Sequence, residues 1–129
     1  QVQHGDLSLV YGRIRPPADA ADAERIPGFL AAIGPDGPVG YATNVSIEET
    51  NDPETGRPRR IVVTGRSASL DVAMELTVDN TVVTETGGGL FGGGLDFLQL
   101  RAIYLVRGRA GGRSIDFTAG GTAETFRGR

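Results

Sequence analysis

From Leu70 to Val78 every second residue is large and apolar: Leu70, Val72, Met74, Leu76 and Val78 alternate with Asp71, Ala73, Glu75, Thr77 and, one further on, Asp79. Successive side chains of a β-strand point to opposite faces, so a period of two sends five apolar groups into a core and leaves the other set in water. Asn80 interrupts the series and Thr81 to Glu85 resume in β-rich residues, so the stretch reads as a hairpin. A chain built on this pattern must be predominantly β.

The remaining segments repeat the pattern with turn chemistry between them. Leu7 to Ile14 is a β-rich run ended by Pro16 and Pro17, which forbid both a central strand and a continuing helix. Ala18 to Arg25 has helix-forming residues but no broad apolar stripe and is stopped by Pro27, which predicts a loop with at most one helical turn. Phe29 to Ile33 and Val39 to Glu49 flank Gly34-Pro35-Asp36-Gly37-Pro38 and form a second hairpin, with Val39, Tyr41, Thr43, Val45 and Ile47 on one face. Asn51 to Gly56 turns the chain into a strand over Arg60 to Ser67. The glycine-rich tract Gly87 to Gly94 predicts a loop, either a flap over an opening with Leu90 and Phe91 at its tip or a disordered connector. Leu95 to Arg107 is the longest strand signal; Ala110-Gly111-Gly112 turns it into Ser114 to Ala119, and Thr122 to Phe126 follows. The sum is eight to nine short, regularly spaced strands, an antiparallel barrel or sandwich.

The 129 residues suffice for one domain with one core, taken as residues 1–129. Beginning with Gln1 and carrying its sole methionine at Met74, the chain reads as part of a longer protein. What is missing excludes several chemistries. Without cysteine there is no disulfide, thiolate metal site or cysteine nucleophile, and this leaves the compartment open. All 13 basic residues are arginine, which removes Schiff-base lysines and the phosphate lysine of a P-loop. The single histidine, His4, offers neither a zinc ligand set nor a convincing relay with serine and aspartate, so no metal and no cofactor is expected. A net charge of −3 with scattered arginines, clustered only at Arg57, Arg59 and Arg60, argues against nucleic acid as a partner. No apolar run approaches the roughly 18 residues needed to span a bilayer.

Several motifs have ordinary explanations. Gly87, Gly89 and Gly92 satisfy G-x-G-x-x-G, but the pyrophosphate site behind that pattern needs a following helix, and here a strand follows. Asp52, Glu54 and Gly56 have a spacing that could touch calcium, without the remaining ligands of an EF-hand. Asn44-Val45-Ser46 is a glycosylation tripeptide in a strand. Glu48 and Glu49 face opposite sides and cannot share chemistry, whereas Asp96 and Asp116 could approach across paired strands.

The strand from Leu95 carries the candidate site. One face holds Leu98, Leu100, Ala102, Tyr104 and Val106, a core set; the other holds Phe97, Gln99, Arg101, Ile103 and Leu105, two polar groups in an apolar series. Either that face is partly exposed and Arg101 meets a carboxylate such as Asp116 or Glu124, or Gln99 and Arg101 point into a ligand cavity and orient a polar group on an apolar molecule. Tyr11, Tyr41 and Tyr104 could supply hydroxyls beside Phe97, Gln99 and Arg101.

The order of His4-Gly5-Asp6-Leu7, Tyr11-Gly12-Arg13, Gly37-Pro38-Val39-Gly40-Tyr41, the segment Glu49 to Pro58, and Gly120-Gly121-Thr122-Ala123-Glu124 resembles one domain of the lipocalin-like AttH, carotenoid 1,2-hydratase and tocopherol-cyclase group. The resemblance implies a lipocalin-like barrel, one half and more specifically the second half of a two-barrel protein. It also implies binding, hydration, isomerisation or cyclisation of isoprenoid-like or other lipophilic molecules. The Asp-His-x-x-Gly signature of the first barrel is absent, so no catalytic residue is carried over. The ending of the chain also resembles the dirigent and allene oxide cyclase barrels.

The expectation is therefore an all-β, antiparallel lipocalin-like barrel binding a lipophilic small molecule. Any isomerase, hydratase or cyclase activity would use shape and a few polar groups, without metal or covalent intermediate. The alternative is a structural or protein-interaction module whose barrel is filled by side chains, alone, as a homo-oligomer or beside a second barrel domain.

Overall fold

In a computed structural model, which describes residues 1–13, 28–86 and 95–128, the chain is all-β. Nine strands follow one another: β1 (Val2–His4), β2 (Leu7–Arg13), β3 (Gly28–Gly34), β4 (Gly37–Ala42), β5 (Asn44–Asn51), β6 (Pro58–Arg66), β7 (Leu70–Thr86), β8 (Leu95–Ala110) and β9 (Arg113–Gly128). They form one antiparallel sheet in the order β4-β3-β2-β1-β9-β8-β7-β6-β5. The two edges, β4 and β5, are joined through Thr43 alone, and the sheet curls until β3 lies against β5, giving a nearly closed barrel. The expected segments Ala18 to Arg25 and Gly87 to Gly94, with the proposed flap residues Leu90 and Phe91, lie outside the described residues.

The alternation in β7 works as expected: Leu70, Val72, Met74 and Leu76 are all buried, and each fully buried side chain of this size contributes about 1.5–3 kcal/mol. The predicted hairpin at Asn80 does not form. Val78 pairs with Ala102 and Asn80 with Arg101, so Asp79 is one extra residue in a continuous strand, a β-bulge. Thr81 to Thr86 pair with the same neighbour, β8, as Leu70 to Val78 do, which a chain reversal would forbid. The bulge also restores the face pattern beyond it, placing Thr81 and Val83 opposite the buried Leu100 and Leu98.

Two other expectations change. The run Val39 to Glu49 breaks at Thr43, and its faces switch there: Tyr41 is outside while Val45 and Ile47 pack on the core. The two strands expected after Gly112 are one, β9, and Gly120 and Gly121 pass through it in register with Ile103 and Ala102. Gly121 is required by its neighbour, since a Cβ there would stand 2.8 Å from the Tyr104 ring. Gly108, in β8, has φ +143°, and a Cβ would meet the Asp71 carbonyl oxygen at 2.0 Å.

One end of the barrel is solid. Leu70, Val72, Met74, Val106, Ala110, Ile115 and Phe117 fill it together with Leu7 and Leu9, and His4 stacks on Phe117 with ring centroids 4.6 Å apart. Edge strand β4 is tied across this end by side-chain and loop hydrogen bonds in place of a ladder. The Tyr41 N–H donates to Ser69 Oγ at 3.1 Å, Ser67 Oγ donates to the Tyr41 carbonyl at 2.6 Å, and the Gly111 N–H donates to the Ser69 carbonyl at 2.9 Å. These bonds cover an edge that would otherwise offer unpaired backbone groups to another strand.

Candidate functional site

The other end of the barrel holds a cavity of about 650 Å³. Its wall is assembled from strands far apart in sequence: Tyr11 and Arg13 of β2, Ile47, Glu49 and Asn51 of β5, Ile61 of β6, Leu100 of β8, and Ala123 and Thr125 of β9. Three of these strands show the same progression along the inward face. β2 runs Leu7, Leu9, Tyr11, Arg13; β5 runs Val45, Ile47, Glu49, Asn51; β9 runs Phe117, Ala119, Gly121, Ala123, Thr125. Each turns from apolar to polar toward the cavity, and Ala123 and Thr125 are too short to fill the space that Phe117 fills at the other end.

At the cavity wall the Tyr11 phenol lies beside that of Tyr104. Tyr104 is fully buried, and its hydroxyl donates to the Thr122 carbonyl at 2.5 Å while the Gln1 nitrogen donates to it at 3.2 Å. Thr122 is held in turn by its own N–H donating to the Gln1 carbonyl at 2.9 Å, so the residue before β1 helps to fix the acceptor. Burial raises the pKa of Tyr11, opposed by the adjacent Tyr104 phenol and reinforced by the nearby Glu49 carboxylate. Burial likewise raises that of Tyr104, with Tyr11 adding to the effect. Both phenols therefore stay neutral through the physiological range.

The structure separates the residues expected to form one site. Tyr11 lines the cavity and Tyr104 supports it from beneath. Gln99 and Arg101 lie on the outer wall, correcting the cavity orientation drawn for them. The reason is register: Leu98 and Leu100 pair with Thr125 and Ala123 on the inside, which turns the residues between them outward. Arg101 meets neither Asp116 nor Glu124 but Asp79, the bulge residue, with Nε 3.1 Å from Oδ1. Phe97 is outside too, against Phe126 with centroids 4.9 Å apart, and Tyr41 is 53% exposed. Asp96 and Asp116 are not brought together, since Asp96 stands opposite Arg127 and Asp116 opposite Arg107, eleven residues farther along β8.

Asp52 is occupied within its own turn: its carboxylate accepts from the Glu54 N–H at 2.8 Å and the Thr55 N–H at 3.2 Å, which lowers its pKa. Among the described residues there is no group of three His, Cys, Asp or Glu side chains placed to hold a metal ion, and no helix long and apolar enough to cross a membrane.

The residues missed from the sequence are Glu49, Asn51, Ile47 and Arg13. The signal for them was the apolar-to-polar change along alternating positions of β2 and β5, visible once the inward phase of each strand is known. Comparison of the chain with family models, with curated proteins and with solved structures finds no match in any of the three.

Proposed function

We propose that this barrel binds a small, largely apolar molecule in its open half. The observation that carries the reading is the cavity of about 650 Å³, which falls within the roughly 300–1,000 Å³ of small-molecule sites. Its wall is mixed: Ile47, Ile61, Leu100 and Ala123 give apolar area, while Gln1, Tyr11, Arg13, Glu49, Asn51 and Thr125 supply polar groups able to orient a ligand. A side-chain-filled interaction module accounts for the solid end of the barrel and leaves the open end unexplained.

The test is native mass spectrometry of the full chain, first for a co-purifying molecule and then after extraction and exposure to apolar probes. Uptake is expected in the wild type and in Arg101→Ala and Gln99→Ala, whose side chains lie outside. It is expected to be lost in Ala123→Phe, which fills the cavity, with the β circular dichroism signal retained. No uptake of any probe, or equal uptake by a folded Ala123→Phe variant, would overturn the reading.

A further inference from the structure

One outer wall of the barrel is built without charge. The outward positions of β2 are Ser8, Val10 and Gly12, and those of β3 are Phe29, Ala31 and Ile33. β4 adds Val39 and Tyr41. None of them is charged, in a chain where 22% of residues are, and Phe29, Ile33, Val39 and Tyr41 are 37–53% exposed. Register sets them side by side, with Val10, Ala31 and Tyr41 in one row across the three strands. Contiguous exposed apolar area of this kind marks a place where another surface docks. The wall of β6 to β9 differs: it also exposes Ile103 and Leu105, but they stand among the ion pairs Arg60–Glu75, Arg101–Asp79 and Arg107–Asp116.

The uncharged wall is flat and firmly held. Phe29 lies across β2 because Gly12, its partner in register, has no side chain; a Cβ there would stand 2.6 Å from Phe29 Cε1. At the edge, Tyr41 is clamped through both backbone groups, its N–H donating to Ser69 Oγ and its carbonyl accepting from Ser67 Oγ. The exposed ring is thus presented from a fixed point, and ordering it on contact costs little. The same bonds occupy the backbone of the β4 edge at Tyr41, so a partner meets the face of the sheet there and does not add a strand to it.

The absence of charge identifies the partner. In a two-fold contact the same patch meets itself, so an unbalanced charge on the patch meets its own kind. The β2–β4 wall is a face on which two copies meet without that repulsion. A bilayer surface is held by cations, and this wall has none while the whole chain carries −3. We propose that the outer wall of β2, β3 and β4 seats the same wall of a second copy of this chain, sheet on sheet about a two-fold axis, with Phe29, Ile33 and Tyr41 buried between them. Three strands about 4.8 Å apart and six or seven residues long span roughly 15 by 20 Å, a small contact, so the dimer is expected to form in the micromolar range.

Sedimentation velocity of the full chain from about 1 to about 200 µM tests this. The wild type is expected to pass from monomer to dimer across the range. Ile33→Glu and Tyr41→Glu each set a carboxylate against its own copy and are expected to weaken association at least about tenfold, while Ile103→Glu on the opposite wall leaves it unchanged. A wild type that stays monomeric throughout, or a dimer that survives both glutamates, would overturn the proposal. Dissociation by Ile103→Glu would overturn it too and move the contact to the β8 wall. A monomer that sediments with phosphatidylcholine vesicles would overturn it and give the wall to lipid. Circular dichroism checks each variant; if Ile33→Glu does not fold, Tyr41→Glu and the concentration dependence of the wild type still decide.

Discussion

The two ends of this barrel use the same strands for opposite purposes. At the solid end Met74, Leu9, Val72 and Val106 are 0–2% exposed and the seam beside β4 is tied by Ser67, Ser69 and Gly111. At the open end the inward positions of the same or neighbouring strands are Tyr11, Glu49, Asn51, Ala123 and Thr125, which border a cavity of about 650 Å³ among the described residues. Packed interiors fill space nearly as densely as organic crystals, so a void of this size forgoes contacts that the solid end makes. Stability is concentrated at one end, which leaves the other free to hold a polar, unfilled wall.

The sharpest way to break this division is at Gly108, between β7 and β9 at the solid end. Gly108→Ala forces a Cβ onto the Asp71 carbonyl oxygen at a φ of +143°, contacts with backbone that no rotamer can relieve. A loss of more than about 3 kcal/mol in urea denaturation is expected, enough to unfold a domain of marginal stability. An unfolding midpoint within error of the wild type would show that β8 relaxes there.

Truncation separates the ends more gently. Met74→Ala should cost about 2–5 kcal/mol, because it leaves a new cavity in a site with no exposure. Ile47→Ala should cost about 1 kcal/mol, since Ile47 is only partly buried and already borders empty space. Equal losses from the two would mean that the cavity end is as tightly coupled to the fold as the solid end.

A smaller, pH-dependent effect sharpens the comparison at the boundary between them. With no lysine in the chain, the alkaline response can be followed through Tyr11 and Tyr104. The folded-state pKa values of Tyr11 and Tyr104 are raised above those of the unfolded chain, chiefly by burial, so their contribution to stability is complete below pH ~10 and is lost as the pH rises from there through the raised values. Urea midpoints measured from pH 8 to 11 should fall at the alkaline end, and the fall should be shallower in Tyr11→Phe. An unchanged pH profile in that variant would place the alkaline response elsewhere.

The smallest effect belongs to the outer wall. Arg101 and Asp79 are 69% and 39% exposed and form a pair of the kind that water and salt screen, and Arg101→Ala should change stability by no more than about 0.5 kcal/mol. A larger loss would mean that the ion pair holds the bulge in place.

The all-β class and the buried faces of β7 and β8 were legible in the sequence because alternation is a property of neighbouring residues: Leu70 to Val78 and Leu98 to Val106 declare their inward side wherever their partners lie. The hairpin expected at Asn80 shows the limit of that logic. A polar residue interrupting a strand looks the same locally whether the chain reverses or bulges, and only pairing of both halves with β8 separates the two. Tyr41 shows it again, since alternation carries no information across the corner at Thr43.

The sequence by itself therefore determined the all-β class, the buried faces of β7 and β8 and the exclusion of thiolate, lysine and histidine-rich chemistry. The tertiary structure decided which end is filled, which wall Arg101 occupies and that Tyr11 borders the cavity. Those outcomes depend on Tyr11 meeting Tyr104, Tyr104 meeting Thr122 and Tyr41 meeting Ser69, pairs brought together by the closing of the sheet. Local patterning sets where a side chain points, but a void is defined by all the strands that surround it at once.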